Sequence, residues 1–282
     1  MMALRSRHVV AFDASGVSGA ALGRGLGAPR VRALAHAPLA PGALWPSPFE
    51  PNLGRPEEVA EAARAVARAL QLRDTPVCLV LPDGVARLLD LDVPGGTSPV
   101  SFARYRLAAG LPYPIDEAVV DVLPLGGSRV LAAAVRRAVL EGYEAAAAAA
   151  GLAQERVDLS PLGALAALGA AAPSGEPVVD LVLGDAAVSM AARRGGAVTV
   201  VRNRRRDRSA GEWRRLRAEA DRTAVLGGEA AATRIRMVGT GTLALVRDMQ
   251  AAGAAAEAGW RVQGEGVPAE GAELAWLGAA LA

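Results

Sequence analysis

Lysine, cysteine and aromatic residues are absent or scarce in this chain of 282 residues. All 31 basic residues are arginine, which excludes a P-loop lysine and any lysine-based catalyst. The single cysteine, Cys78, lies in the apolar run 77–81, where a buried thiol is favoured over a nucleophile or metal ligand, and one cysteine excludes a disulfide framework. Aromatic residues make up 4% of the chain and hydrophobic residues 52%, so we expect a core of alanine, valine and leucine.

Long apolar runs are also missing. The N-terminal residues lead directly into the strand-like segment 9–12, which is too short for the apolar region of a signal peptide. The most apolar tracts, 145–153 and 162–172, are rich in alanine and shorter than the roughly 20 residues of a spanning helix. We therefore expect a cytoplasmic protein whose membrane role depends on a partner.

Alternating strand and helix patterns predict an α/β fold. A strand, turn, strand order occurs at 9–36 and again at 178–201, as a duplicated fold would leave. The segment 173–177 contains two prolines and a glycine and is predicted to link a first lobe, 1–172, to a second lobe, 178–282. The other predicted strands are 76–82, 118–125, 129–134 and 156–159, and the predicted helices begin near residues 56, 99, 135 and 162.

Four motifs follow one another along the chain. Residues 10–16 place an acidic residue and small residues after a strand, and residues 111–121 contain Leu-Pro-Tyr-Pro before an acidic and apolar stretch. Residues 130–159 combine a strand, a long helix and a strand, and residues 235–241 end in Gly-Thr-Gly. These motifs resemble the PilM family of type IV pilus assembly proteins over nearly the whole chain.

The resemblance implies an actin-like fold, a duplicated ribonuclease H-like architecture with two lobes. It also implies an insert similar to that of FtsA, at about 37–125, and a shortened second lobe. Proteins of this family are cytoplasmic, sit at the inner face of the inner membrane, and bind the cytoplasmic tail of a bitopic membrane protein, PilN. Since 111–121 is the most specific match, Tyr113 and Ile115 are expected to contact such a tail.

The resemblance further implies a site for ATP or ADP with Mg²⁺. Backbone N–H groups of two hairpin turns would hold the phosphates, and carboxylates would position the metal. The expected metal ligands are Asp13 and Asp180, with Asp185 as an alternative to Asp180. Val182 stands where the family pattern has an aspartate, which argues against magnesium-dependent hydrolysis. The residues expected to bind the nucleotide are Asp13, Ser15, Gly16, Ser18, Gly184, Asp185, Gly239, Thr240 and Gly241.

Two functions remain open at this point. The first is an assembly scaffold with a degenerate nucleotide site. The second is an active ATPase or small-molecule kinase of the actin-like superfamily, for which Asp13 would have to converge with Asp180 or Asp185 on a metal ion. Gly239 and Gly241 also fit an ordinary turn between a strand and a helix.

Residues 202–222 contain nine arginines and four acids, a local charge of +5. The spacing of Trp213, Leu216, Ala220 and Ala224 predicts an amphipathic helix with these residues on its apolar face. Its basic face fits an anionic lipid surface, an acidic protein or plain solvent, and nucleic acid is not expected because aromatics are not interleaved with the arginines. The arginines expected to face solvent, opposite Trp213 and Leu216, are Arg214, Arg215, Arg217 and Arg222.

Overall fold

The computed structural model describes residues 8–23, 30–170, 176–232, 234–251 and 260–262. The strands among these residues form two five-stranded sheets and one three-stranded sheet. The first helix begins at a proline, which needs no N–H partner at that position, and two glutamates follow in its first turn. The first elements are β1 (His8–Asp13), β2 (Gly16–Gly23), β3 (Arg30–Pro38), α1 (Pro56–Ala69) and β4 (Pro76–Leu81).

A smaller subdomain, the insert, follows β4. Its elements are β5 (Ala86–Asp92), α2 (Pro99–Ala108), β6 (Ala118–Gly126) and β7 (Arg129–Arg136). The strands form an antiparallel sheet in the order β5-β7-β6. Ser98 caps α2 by accepting a hydrogen bond from the backbone N–H of Ser101. One face of the sheet packs against Ala103 and Leu107 of α2, and this contact forms the core of the insert.

The chain then returns to the first lobe through α3 (Arg137–Ala149), β8 (Ala153–Leu159) and α4 (Ser160–Ala170). The first sheet has the order β3-β2-β1-β4-β8, and its last three strands are parallel. The rings of Phe12 and Tyr143 meet edge to face in its core, with centroids 5.4 Å apart. The buried hydroxyl of Tyr143 donates a hydrogen bond to Oδ1 of Asn52 at 2.9 Å, so burying it leaves no donor unpaired.

The second lobe repeats the first sheet. Its elements are β9 (Val178–Leu183), β10 (Ala187–Arg194), β11 (Ala197–Arg205), α5 (Glu212–Leu226), β12 (Ile235–Gly239), α6 (Thr242–Ala251) and β13 (Trp260–Val262). The order β11-β10-β9-β12-β13 again places an antiparallel hairpin beside parallel strands. The α/β class and the duplication predicted from the sequence are confirmed.

The predicted boundaries of the insert need correction. β4 pairs with β1 in the middle of the first sheet, and α1 packs on β2 and β3, so both belong to the first lobe. The three-stranded sheet runs from Ala86 to Arg136 instead of lying within 37–125. Strand β5, which was not predicted from the sequence, forms one edge of that sheet. The predicted linker, 173–177, falls mainly outside the described residues.

Six of the nine arginines in the arginine-rich segment 202–222 form ion pairs within the chain. Leu216, Ala220 and Ala224 of α5 lie in the core of the second lobe as predicted, and Trp213 is partly buried beside them. Arg214 stacks over the ring of Trp213 at 4.8 Å, so the prediction that it lies opposite Trp213 is wrong. Most of the other arginines form ion pairs: Arg202 and Arg222 with Glu219, Arg206 with Glu212, Arg208 with Asp185, Arg215 with Asp207 and Arg217 with Asp221. These pairs favour the interpretation that the basic face of α5 is an ordinary solvated face.

Within the described ranges, no helix combines the length and apolarity that crossing a membrane requires.

Candidate functional site

A cleft of about 400 Å³ lies where the central strands of the two five-stranded sheets end. This volume lies within the roughly 300–1,000 Å³ of small-molecule sites. Eight of the nine residues predicted to bind a nucleotide line it: Asp13, Ser15, Ser18, Gly184, Asp185, Gly239, Thr240 and Gly241. The ninth, Gly16, lies under the ring of His36, where any Cβ atom would overlap the imidazole.

The first turn joins β1 to β2 and is shaped by Asp13. Its Oδ1 atom accepts hydrogen bonds from the backbone N–H of Ser15 at 3.0 Å and from the Ser15 hydroxyl at 3.1 Å. The Ser18 hydroxyl lies 2.9 Å from Nδ1 of His36, which β3 brings into register opposite Ser18. Among the described residues that line the cleft, His36 is the single basic side chain. No sequence pattern indicates that His36 belongs to this site, because its position depends on the pairing of β2 with β3.

The second turn, between β9 and β10, holds a carboxylate that no sequence motif indicated. Asp83 follows β4 and accepts hydrogen bonds from three successive backbone N–H groups, those of Asp185, Ala186 and Ala187, at 3.3, 3.1 and 2.9 Å. Gly184 is required here because a Cβ atom would overlap the carboxylate. Burial raises the pKa of Asp83, and the three hydrogen bonds oppose this shift. The N–H groups expected to hold phosphate are thus bonded to the protein's own carboxylate.

The structure does not bring Asp13 and Asp180, the predicted metal pair, together in the cleft. Asp180 is fully buried in β9, where Arg193 and Arg236 each donate a hydrogen bond from Nε to its carboxylate at 2.7 Å. Asp185, the alternative ligand, lines the cleft and pairs with Arg208 at 2.6 Å. The described residues contain no group of three or more His, Cys, Asp or Glu side chains that could hold a metal ion. Of the three predicted carboxylates, Asp13 and Asp185 line the cleft and Asp180 does not.

The Gly-Thr-Gly turn after β12 is fixed by contacts within the protein. Thr240 donates its backbone N–H to the carbonyl of Leu183 at 2.7 Å. The buried guanidinium of Arg206 donates from Nη1 to the carbonyls of Gly184 and Thr240 at 2.6 and 2.7 Å, so it joins this turn to the second turn. The turn thus has a structural role that does not depend on adenosine.

A second cavity, the insert groove, lies between the insert sheet and the first lobe and has a volume of about 360 Å³. Side chains alternate between the two faces of a strand. Ala132 and Ala134 of β7 turn toward α2, whereas Leu131, Ala133 and Val135 turn toward the groove. Its opposite wall is α4 with the end of β8, where Leu162, Gly163 and Ala166 line the space.

Strand β6 forms the open side of the insert groove. Among the described strands it pairs with β7 alone, so its outer edge carries unpaired backbone groups. Val119 and Leu123 line the groove, and Leu123 is 51% exposed. Asp121 and Asp158 add two carboxylates, of which Asp158 pairs with Arg156 at 3.6 Å, and burial raises the pKa of Asp158. The groove is therefore apolar with an acidic component.

Tyr113 and Ile115, the predicted contacts for a partner, pack into the insert instead. Tyr113 is 8% exposed in the core formed with α2, with the Arg136 guanidinium 5.7 Å above its ring. Ile115 is partly buried against the same core. These side chains hold the insert together. A substitution of Tyr113 would therefore destabilise the insert, and a loss of binding would not show that Tyr113 contacts the partner.

Comparison with known proteins identifies the fold. No protein-family model and no curated protein sequence matches the chain. Among solved structures, the chain is similar to a PilM–PilN type IV pilus biogenesis complex, with a TM-score of 0.74, 19% identity, and coverage of 99% of this chain and 98% of that chain.

Two further structures agree. A Bacteroides thetaiotaomicron protein with an actin-like ATPase fold gives a TM-score of 0.58 at 8% identity, with 98% of each chain covered. The cytoplasmic domain of EpsL, an inner-membrane component of the Vibrio cholerae type II secretion system, gives 0.53 at 14% identity, with 82% of this chain and 81% of that chain covered. The duplicated sheets, the cleft between them and these likenesses together show that the chain has the actin-like fold, with the architecture of a PilM structure.

Proposed function

We propose that the chain is a cytoplasmic scaffold of a type IV pilus or a related secretion machine, and that it holds the tail of a bitopic membrane protein similar to PilN. The fold supports this proposal, since two of the similar structures are a PilM–PilN complex and the cytoplasmic domain of a secretion-system component. The observation that carries it is the insert groove, which is apolar and bordered by the free edge of β6.

The groove suits an extended peptide. A peptide strand can add to an exposed sheet edge through backbone hydrogen bonds, while its alternate side chains enter adjoining pockets. Here the edge is β6, and the pocket lies between Leu123 and the α4 residues Leu162 and Gly163. Apolar side chains of the tail would fill this space.

The charge of the groove also suits such a tail. Cytoplasmic segments next to membrane-spanning helices carry an excess of Lys and Arg. Asp121 lines the groove and would attract these residues, whereas Asp158 already pairs with Arg156. Membrane association then comes from the partner, and the ion-paired arginines of 202–222 need contribute nothing to it.

Our proposal assigns no ATP hydrolysis to the cleft. Asp180 is held by two arginines, and the second turn is occupied by Asp83. We expect the purified protein to hydrolyse ATP with Mg²⁺ no faster than an Asp13→Ala variant, as measured by phosphate release. Turnover that requires Asp13 would favour the ATPase alternative.

The binding proposal is tested with a peptide from the cytoplasmic tail of a single-span membrane protein encoded beside this chain. We expect Leu123→Gln to weaken binding by roughly ten-fold, because burying a leucine against a ligand contributes about 1.5 kcal/mol. Fluorescence anisotropy of a labelled peptide measures the affinity.

A matched control is available in Leu34→Gln. Leu34 lies on β3, at the edge of the first sheet, and is 48% exposed, so the change in polarity and exposure is nearly the same as at Leu123. We expect this variant to bind the peptide like wild type. If the two variants bind equally well, or if wild type does not bind the tail, the insert groove is not the site.

A further inference from the structure

The carboxylate of Asp83 lies where the fold offers an anion site. Successive backbone N–H groups in a turn form a concave set of donors that binds anions. The N–H groups of residues 185, 186 and 187 converge in this way, and both oxygens of Asp83 accept from them. Asp83 comes from the first lobe and reaches across 102 to 104 residues of sequence to the second lobe.

Two glycines fit the close approach of Asp83 to the turn. Gly184 leaves the space that the carboxylate fills. Gly84 adopts φ +84° directly after Asp83, and a Cβ atom there would lie 3.1 Å from the Cβ of Ala186. The backbone at Asp83 therefore packs directly against the turn, and the residue is half-buried between the lobes.

We propose that Asp83 is an internal substitute for phosphate, which occupies the anion-binding N–H groups of the second turn and excludes the phosphates of a nucleotide from them. The ligand class in question is a phosphate-bearing nucleotide such as ADP. A nucleotide entering the cleft has to displace Asp83 from the turn or bind without using these donors. This inference concerns the cleft and is independent of the proposed partner groove.

The test compares ADP with adenosine on the full chain, using isothermal titration calorimetry without Mg²⁺. We expect Asp83→Ala to bind ADP roughly ten-fold or more tightly than wild type does, because the freed N–H groups can make charge-assisted hydrogen bonds to phosphate. Adenosine carries no phosphate, so its affinity should not change. Amide hydrogen exchange at residues 185–187 should become faster in the unliganded variant.

Asp185→Ala is the matched control for charge. It removes one carboxylate from the same cleft and also releases Arg208, but it leaves the Asp83 hydrogen bonds in place. An effect of net charge alone would raise ADP affinity at least as much in this variant, whereas occupation of the turn by Asp83 predicts a clearly larger gain in Asp83→Ala.

Three results would overturn the proposal. In the first, ADP affinity in Asp83→Ala is unchanged or lower although the three amides exchange faster, as expected if Asp83 assists nucleotide binding. In the second, Asp185→Ala gives an equal gain. In the third, neither variant binds ADP at millimolar concentration. If Asp83→Ala does not fold, Asp83→Asn is used instead, because it keeps the side-chain size and removes the charge. It should also bind ADP more tightly than wild type does, with a smaller gain in affinity.

Discussion

Replacing Asp180 by alanine is expected to lower the free energy of unfolding by about 3–5 kcal/mol, which is the usual cost of removing one partner from a buried ion pair. Asp180 is fully buried, and the side chains of Arg193 and Arg236 are 8% and 5% exposed. Without the carboxylate, two buried guanidinium groups would lose their shared counter-charge. Urea denaturation followed by circular dichroism measures the loss.

The control for Asp180→Ala is Asp185→Ala, two residues beyond the same strand. The Asp185–Arg208 pair is 41% and 47% exposed, and surface pairs of this kind contribute about 0–1 kcal/mol. We expect a correspondingly small loss. If the Asp180 variant were as stable as the Asp185 variant, or if Mg²⁺ stabilised wild type and not Asp180→Ala, the structural role assigned to Asp180 would be refuted.

Gly239→Ala is expected to destabilise the protein by about 3 kcal/mol. Gly239 adopts φ +109°, where a non-glycine residue is strained by about 1–3 kcal/mol. A Cβ atom would also overlap the carbonyl of Leu183 in the neighbouring strand β9. Separating the two strands weakens the hydrogen bond from Thr240 to that carbonyl, a further contribution of about 1 kcal/mol.

Gly241→Ala separates backbone strain from overlap. Gly241 also has a positive φ, +75°, but the atom nearest to its added Cβ is Nη2 of Arg206, at 3.4 Å. We expect a loss of about 1 kcal/mol, clearly smaller than that at Gly239. If urea denaturation gave the same loss of unfolding free energy for Gly239→Ala and Gly241→Ala, overlap with β9 would play no part.

The sequence predicted the parts of this fold that depend on local pattern. The central strands β4 and β9 are buried on both faces and appear as apolar runs, and the hairpin and glycine turns follow them directly. Eight of the nine predicted nucleotide residues line one cleft because the central strands of a duplicated sheet end at the same place. The resemblance to PilM supplied the reason to group them.

What the sequence could not predict depends on contacts between distant segments. Asp180 shares a strand face with Val182, but it lies two residues deeper, so it meets Arg193 and Arg236 instead of the cleft. Asp83 lies in the sequence Pro-Asp-Gly, which is typical of an ordinary turn, and its hydrogen-bond partners are about a hundred residues away in the sequence. Tyr113 matched a family motif, yet it packs beneath α2. Position in a motif does not reveal whether a side chain faces solvent.

The central claim, that the insert groove holds a partner tail, is tested most directly by amide hydrogen exchange on the protein with and without the tail peptide. We expect slower exchange in β6, whose outer N–H groups would pair with the peptide, and in the first turns of α4 on the opposite wall. The exposed β3 edge, which contains Leu34, should not change. Unchanged exchange in β6 and α4 at saturating peptide, with protection elsewhere, would contradict the account.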